Sequence, residues 1–221
     1  MAKVFPVIHF LDAATALSEA DLAFECGADG VFLISHQGDD DLLFEPAAVI
    51  KRRHPGKLVG LNLLTLGAAK CVAVAADLGL DAAWADHAGV NSAGVSETGM
   101  QLAQMLKDNP QVALFAGVAF KGQQHEPEAG AAAKVAQSLG MVPTTSGART
   151  GHPPEVRKIE AIRAAIGAGN PLAIASGLSP ENVADFARDA THFLVSTHVS
   201  RDEYHLDRAR LEAFISKAKP E

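Results

Sequence analysis

Asp86 and His87 close the short apolar run AAWADH, and Lys121 closes another, LFAGVAFK. A carboxylate at the end of an apolar run, beside an imidazole, sits where burial can shift its proton affinity, which suits a general acid or base. An amine at the end of the next run could steady a developing anion, or simply form an ion pair with Asp86. Asn62, from GLNLLT, ends a third such run and joins Asp86 and Lys121 as a candidate catalytic residue.

Two other segments carry anion chemistry. The first is ASGLSPENV, residues 175–183. Gly177 lets the backbone approach an anion, and Ser179 with Pro180 reads as the capped start of a helix whose free N–H groups favour negative charge. Leu178 could staple onto Val183. The run ending VSTHVS brings the hydroxyls of Ser196 and Thr197 towards Ser176. A plain capped turn is the structural alternative. The second segment is TTSGARTGHPP, residues 144–154, with Ser146, Gly147 and Arg149. A guanidinium there could make a forked contact to phosphate or carboxylate. No Gly-Lys-Ser/Thr follows, so this is not a P-loop. A loop that closes over a ligand and a merely ordered surface loop both fit.

The chain has nine histidines. His9, His36, His87 and His198 stand near the ends of apolar runs, and His125 and His152 fall between elements. A divalent metal is conceivable with such a set, yet neither HxH nor HExxH occurs, so the expectation is no metal and no other cofactor. Trp84, inside its run, is expected in the core.

The elements that hold these groups alternate. Apolar runs at residues 4–10, 31–35, 58–64, 82–86, 112–120, 141–145, 171–175 and 192–196 read as strands. Helical stretches follow at 14–27, 42–53, 68–78, 96–107 and 127–139, then after Pro153-Pro154, from Ser179 and from Asp207. In the sixth, Val156, Ile159, Ile162 and Ile166 lie near one face. Short continuous apolar strands suit a parallel sheet covered on both faces. About eight such units favour one closed (β/α)8 barrel domain, residues 1–221, over an open doubly wound sheet. In that fold the ligand binds at the carboxyl ends of the strands, commonly with phosphate near the last two. His9, Ser35, His36, Asn62, Asp86, Lys121, Thr144, Thr145, Ser146, Ser176, Ser196 and Thr197 would then converge on one mouth.

Bulk properties narrow the partners. At 221 residues the chain can bury a large core. The net charge of −7 leaves no basic stripe for nucleic acid. The one dense basic cluster, residues 51–54, ends a helix, where cations meet free carbonyls. Cys26 and Cys71 fall in alanine-rich helical stretches and read as inert thiols rather than a disulfide. No apolar run reaches membrane-spanning length, and the first residues read as a strand rather than a signal peptide. A cytoplasmic location is expected. The alanine-rich stretch 129–136 could pack on the barrel or on a second copy, so a homo-oligomer stays open.

GLNLL, LFAGVAFKGQQHE, TSGARTGHPPEVRKIEAIRAAIG and ASGLSPENVADF resemble, in order and spacing, the BtpA-like family of (β/α)8 barrels, over roughly residues 58–216. SGARTGHPP and SGLSPENV are the most specific parts. The second is also similar to the wider group of ribulose-phosphate-binding barrels, including phosphoribosylanthranilate isomerase. The resemblance implies a barrel with a phosphate site at Ser176, Gly177, Ser196 and Thr197. The chain departs from the pattern with Gly117 where the family tends to be acidic, Ser196 where glycine is usual, and no proline-rich loop after the first strand.

The expectation is therefore an enzyme that binds a phosphorylated small molecule, phosphosugar or nucleotide-like, with isomerase, lyase or glycosyl-transfer chemistry. A metal-dependent hydrolase using the mouth histidines and Asp86 is one alternative. A non-catalytic binding or assembly factor that keeps a phosphate site is another.

Overall fold

Eight short parallel strands close into a barrel in the computed structural model, which describes residues 2–219. They are β1 (Lys3–His9), β2 (Gly30–Ile34), β3 (Leu58–Asn62), β4 (Ala82–Ala85), β5 (Ala113–Gly117), β6 (Val142–Thr145), β7 (Ala173–Ala175) and β8 (His192–Val195). Each strand pairs with its neighbours in sequence, and β8 returns to β1 with Val4 opposite Phe193. The helices are α1 (Ala13–Glu25), α2 (Phe44–Arg53), α3 (Gly67–Asp77), α4 (Glu97–Asp108), α5 (Ala129–Ser138), α6 (Val156–Ile166) and α7 (Arg208–Ala218). This is the (β/α)8 architecture that the alternation predicts.

Period-2 alternation sorts the strand side chains into two apolar layers. Phe5, Phe32, Trp84, Phe115 and Leu194 fill the barrel interior. Val4, Ile8, Leu33, Leu61 and Leu114 face outward, in one cluster with the helices. The interior aromatics pack edge to face, Phe5 on Phe32 at 5.9 Å and Phe32 on Phe115 at 5.1 Å. Gly60 makes room for them: a Cβ there would lie 2.4 Å from the Phe32 ring. Trp84 is core, as its run suggests.

Local signals hold at several helix ends. Ser96 caps α4 through Gly99 N, and Asp207 caps α7 through Arg210 N. Lys51, in the basic cluster, donates to Pro55 O and Lys57 O beyond the end of α2 and also pairs with Asp81 at 2.7 Å. Burial pushes the Cys71 thiol up to about 12 and raises that of Cys26.

The expected seventh helix does not form. Only a 3-10 turn at Val183–Asp185 follows β7. Asn182 accepts from Ser179 N and donates to Gly177 O, and Ser179 Oγ accepts from Glu181 N. These local bonds compete with helix formation for the same backbone groups. β5 also ends three residues before the expected 120, because Ala119 turns left-handed at φ 46°. The loop before α4 carries a two-stranded hairpin, Val90–Asn91 with Gly94–Val95.

Two interior histidines predict how stability varies with pH. His192 stacks on Phe5 at 5.7 Å, and His9 ends β1 beneath the mouth. Burial, chiefly, drives each from the ordinary 6.5 down to about 4. Between those values the unfolded chain binds more protons, so stability is full above about pH 6.5 and falls as pH drops towards 4. The combined loss is on the order of 3 kcal/mol after solvent screening. Urea unfolding at pH 7.5 and pH 5 should show it, and His192→Gln should flatten the slope.

Candidate active site

The carboxyl ends of β3, β4 and β5 bring three of the sequence candidates together. Asn62 is buried, and its amide donates to Asp86 Oδ1 at 3.3 Å. Burial raises the Asp86 carboxyl above its ordinary value, against the Asn62 hydrogen bond and the charges of Lys121, His87 and His36. Burial lowers the Lys121 amine, and Asp86 opposes it. No ion pair joins the two among the described residues; Lys121 Nζ donates to Thr150 Oγ1 at 3.1 Å. Asp86 is thus a half-buried acid with proton affinity above the usual range, held by one amide and facing a cation that is not locked onto it. That arrangement suits proton transfer.

Close packing requires glycine at position 117. A Cβ at this position would lie 2.2 Å from Asp86 O, so a side chain cannot stand here without moving the Asp86 backbone. Gln123 ties the same spot together, donating to Asp86 O at 2.6 Å and Gly117 O at 3.0 Å and accepting from Phe120 N. Phe120 thereby folds into the barrel interior, 6.1 Å from Trp84, and floors the mouth. His9 Nε2 lies 3.4 Å from Ser196 Oγ, and its ring meets His36 edge-on at 5.0 Å.

The loops after β6 and β7 meet, but not as free phosphate loops. Ser176 and Gly177 both adopt left-handed backbone, φ 87° and 75°. Gly151 N donates to Ser176 Oγ at 3.2 Å. Gly147 and Gly177 pack directly under the His152–Pro153 backbone, where a Cβ on either would come within 2.0 Å. Ser146 is fully buried, accepting from Lys121 N and donating to Gly147 O. Arg149 is exposed and bonded to the His152 ring. Ser196 is half-buried and Thr197 exposed on the β8 side. The anion-binding helix start expected after Gly177 is absent, because no α-helix forms there. What remains are the strained turn, its hydroxyls and the covering segment.

Lys158 was not foreseen. It lies in the first turn of α6, where the helix dipole disfavours a cation. That misplacement is the sequence signal of a specific partner. Its amine crosses under the mouth to donate to Ala119 O at 2.5 Å and Ser146 O at 2.8 Å, and burial lowers it to about 8. Lys158→Met should leave Ser146 O without this donor and cost about 2 kcal/mol. Hydrogen exchange at residues 119–121 should rise with it; unchanged exchange there would contradict the clamp.

Among the described residues no three His, Cys, Asp or Glu side chains gather in a way that could hold a metal ion.

Strand order and mouth together define a (β/α)8 barrel with its polar strand ends on one face. Solved structures share this fold. A native KDPGal structure is 15% identical with a TM-score of 0.72, over 97% of this chain and 93% of that one. Dimeric phosphoribosylanthranilate isomerase from Thermotoga maritima, in its generated monomeric form, is 19% identical with a TM-score of 0.69, over 100% of both chains. Thiamine phosphate pyrophosphorylase from Pyrococcus furiosus is 12% identical with a TM-score of 0.67, over 98% of this chain and 95% of that one. At these identities the likeness is one of fold. No family model and no curated protein matches the chain.

Proposed function

We propose that this chain is an enzyme acting on a phosphorylated small molecule, with Asp86 as the group that moves a proton. The observation that carries this is the Asn62–Asp86 hydrogen bond at the mouth, beside a lysine whose charge reaches the carboxylate without pairing to it. Asn62 orients Asp86, and Lys121 steadies negative charge that builds on the substrate. Ser176, Gly177, Ser196 and Thr197 take the phosphate. Arg149 covers it from the loop whose His152–Pro153 backbone lies on Gly177, and the buried Ser146–Gly147 turn supports that loop from below.

Three things support the phosphate. The loops after the last two strands are its common place in this fold. The SGLSPENV segment resembles ribulose-phosphate-binding barrels, and the wider set of motifs resembles BtpA-like barrels. Two of the similar structures carry names of enzymes of phosphorylated compounds, phosphoribosylanthranilate isomerase and thiamine phosphate pyrophosphorylase. Moving a proton, or stabilising cationic character at a sugar carbon, fits isomerase, lyase or glycosyl-transfer chemistry. A cytoplasmic location and a homo-oligomeric state belong to the same reading. No helix among the described residues is long and apolar enough to cross a membrane.

A thermal-shift panel tests it, pairing phosphorylated sugars and nucleotides with their dephosphorylated forms, with and without divalent metal. Selective stabilisation by the phosphorylated members is expected, since a ligand of the folded state alone raises the midpoint. A response to metal alone would favour the hydrolase.

A further inference from the structure

The serine hydroxyls around the mouth have different partners. Ser35 Oγ donates to Asp39 Oδ1. Ser146 is buried between Lys121 N and Gly147 O. Ser176 Oγ accepts from Gly151 N. Ser196 is the one of these four that meets an imidazole, its Oγ lying 3.4 Å from His9 Nε2. The two residues close adjacent strands: His9 is the last residue of β1, and Ser196 follows the last residue of β8. Both are half-buried. The Ser196 carbonyl is pinned by Val199 N at 2.8 Å and Ser200 Oγ at 3.0 Å, so its backbone is held while its hydroxyl faces His9.

His9 is set up as a proton acceptor. Burial first, then the charges of His36 and Lys121, lower it to about 4, against the opposing charge of Glu203. The imidazole is therefore neutral at ordinary pH, and the edge of the His36 ring steadies it at 5.0 Å. Its Nδ1 is buried without a partner among the described residues. In the tautomer that leaves Nε2 bare, Nε2 can take the Ser196 proton. Glu203, on the turn after β8, is the carboxylate whose charge favours the imidazolium once the proton arrives. A hydroxyl within hydrogen-bond reach of a neutral base is the arrangement of an activated nucleophile, and such pairs are often loose without substrate. A base of such low proton affinity is weak, so the pair suits acyl groups with good leaving groups. Lys121, whose charge reaches His9, can steady negative charge on the acyl oxygen.

We infer that Ser196 and His9 form a nucleophile–base pair that takes the acyl group of an activated ester or thioester, an activity separate from the proton transfer assigned to Asp86. Ser196 Oγ bonds to the acyl carbon as its proton passes to His9 Nε2. The bond from that carbon to the leaving oxygen or sulfur breaks, and the leaving group takes the proton from His9. Water then gives a proton to His9 and attacks the Ser196 ester. The carboxylic acid departs, and the proton returns to Ser196 Oγ.

A fluorophosphonate probe, with peptide mapping by mass spectrometry, tests the pair in the wild type. Labelling of Ser196 is expected. p-Nitrophenyl acetate should give a burst of about one p-nitrophenol per chain, which Ser196→Ala abolishes. His9→Phe should slow labelling about 10²-fold or more, and His9→Gln, which keeps a polar side chain, covers misfolding of the phenylalanine variant. Because His9 stays neutral down to about 4, the labelling rate should be level between about pH 8 and pH 5, where an ordinary imidazole base would fail below about 6.5. The inference is overturned if Ser196 takes no label, if both His9 variants label at the wild-type rate, or if the burst survives Ser196→Ala. Labelling of Ser196 that inorganic phosphate does not slow would uphold the pair and count against Ser196 as a phosphate ligand.

Discussion

Asp86→Asn is expected to cut turnover about 10²–10⁴-fold while ligand affinity stays within a few-fold. The replacement is nearly isosteric, and an asparagine oxygen can still accept from Asn62, which now approaches Oδ1 at 3.3 Å. What disappears is the titrating carboxyl, whose proton affinity burial raises. If Asp86 acts as a base, wild-type turnover should climb with pH through that raised value, and the climb should vanish in the variant. The test is steady-state kinetics on the phosphorylated compound that the thermal-shift panel selects, with calorimetric affinity beside it. A fall in kcat at unchanged affinity supports the assignment. Full turnover in Asp86→Asn would take the proton transfer away from Asp86, and ligand affinity without turnover in the wild type would move the protein to the non-catalytic binding reading.

Gly177→Ala should be the most damaging single-methyl change in the mouth. Gly177 has φ 75°, and an added Cβ would lie 2.0–2.2 Å from His152 C, His152 O and Pro153 N. Those are backbone atoms, so no side chain can swing aside. Left-handed strain of about 1–2 kcal/mol adds to the collision, for an expected loss of about 3 kcal/mol or more. Relief would come only from lifting the segment over it, which would also loosen the proposed phosphate cover. Gly56→Ala is the control, since nothing lies within 4 Å of a Cβ there. Urea unfolding of both variants decides: equal stability would mean that the two loops do not meet as closely as described.

The barrel was legible because its strands are buried on both faces and its helices on one. Continuous runs such as GVFLI and ALFAG alternate with helical stretches whose apolar residues recur at helical spacing, as Ile159, Ile162 and Ile166 do. Asn62 and Asp86 were legible for a related reason, as polar residues that end apolar runs. The seventh helix misled, because Ser-Pro-Glu-Asn reads equally as a helix start and as a set of local side-chain turns, and the bonds of Ser179 and Asn182 hold the turns. Lys158, Gln123 and the need for glycine at 117 act between units far apart in sequence, Lys158 on Ala119 and Gln123 on Asp86. Apart from the cation in the first turn of α6, spacing along the chain carries no trace of such contacts. The positive φ of Ser176, which is not a serine preference, goes with its hydroxyl's bond from Gly151 N in the neighbouring loop.

Phosphate recognition after β7 and β8 is the claim on which the functional account turns. The most direct measurement is calorimetric titration of ribose 5-phosphate, inorganic phosphate and ribose into the wild type and the Ser176→Ala/Thr197→Val double variant. The account predicts that both phosphate-bearing probes bind, that ribose does not, and that the double variant weakens both about tenfold or more. Equal binding of ribose and ribose 5-phosphate, or unchanged phosphate affinity in the double variant, would contradict it.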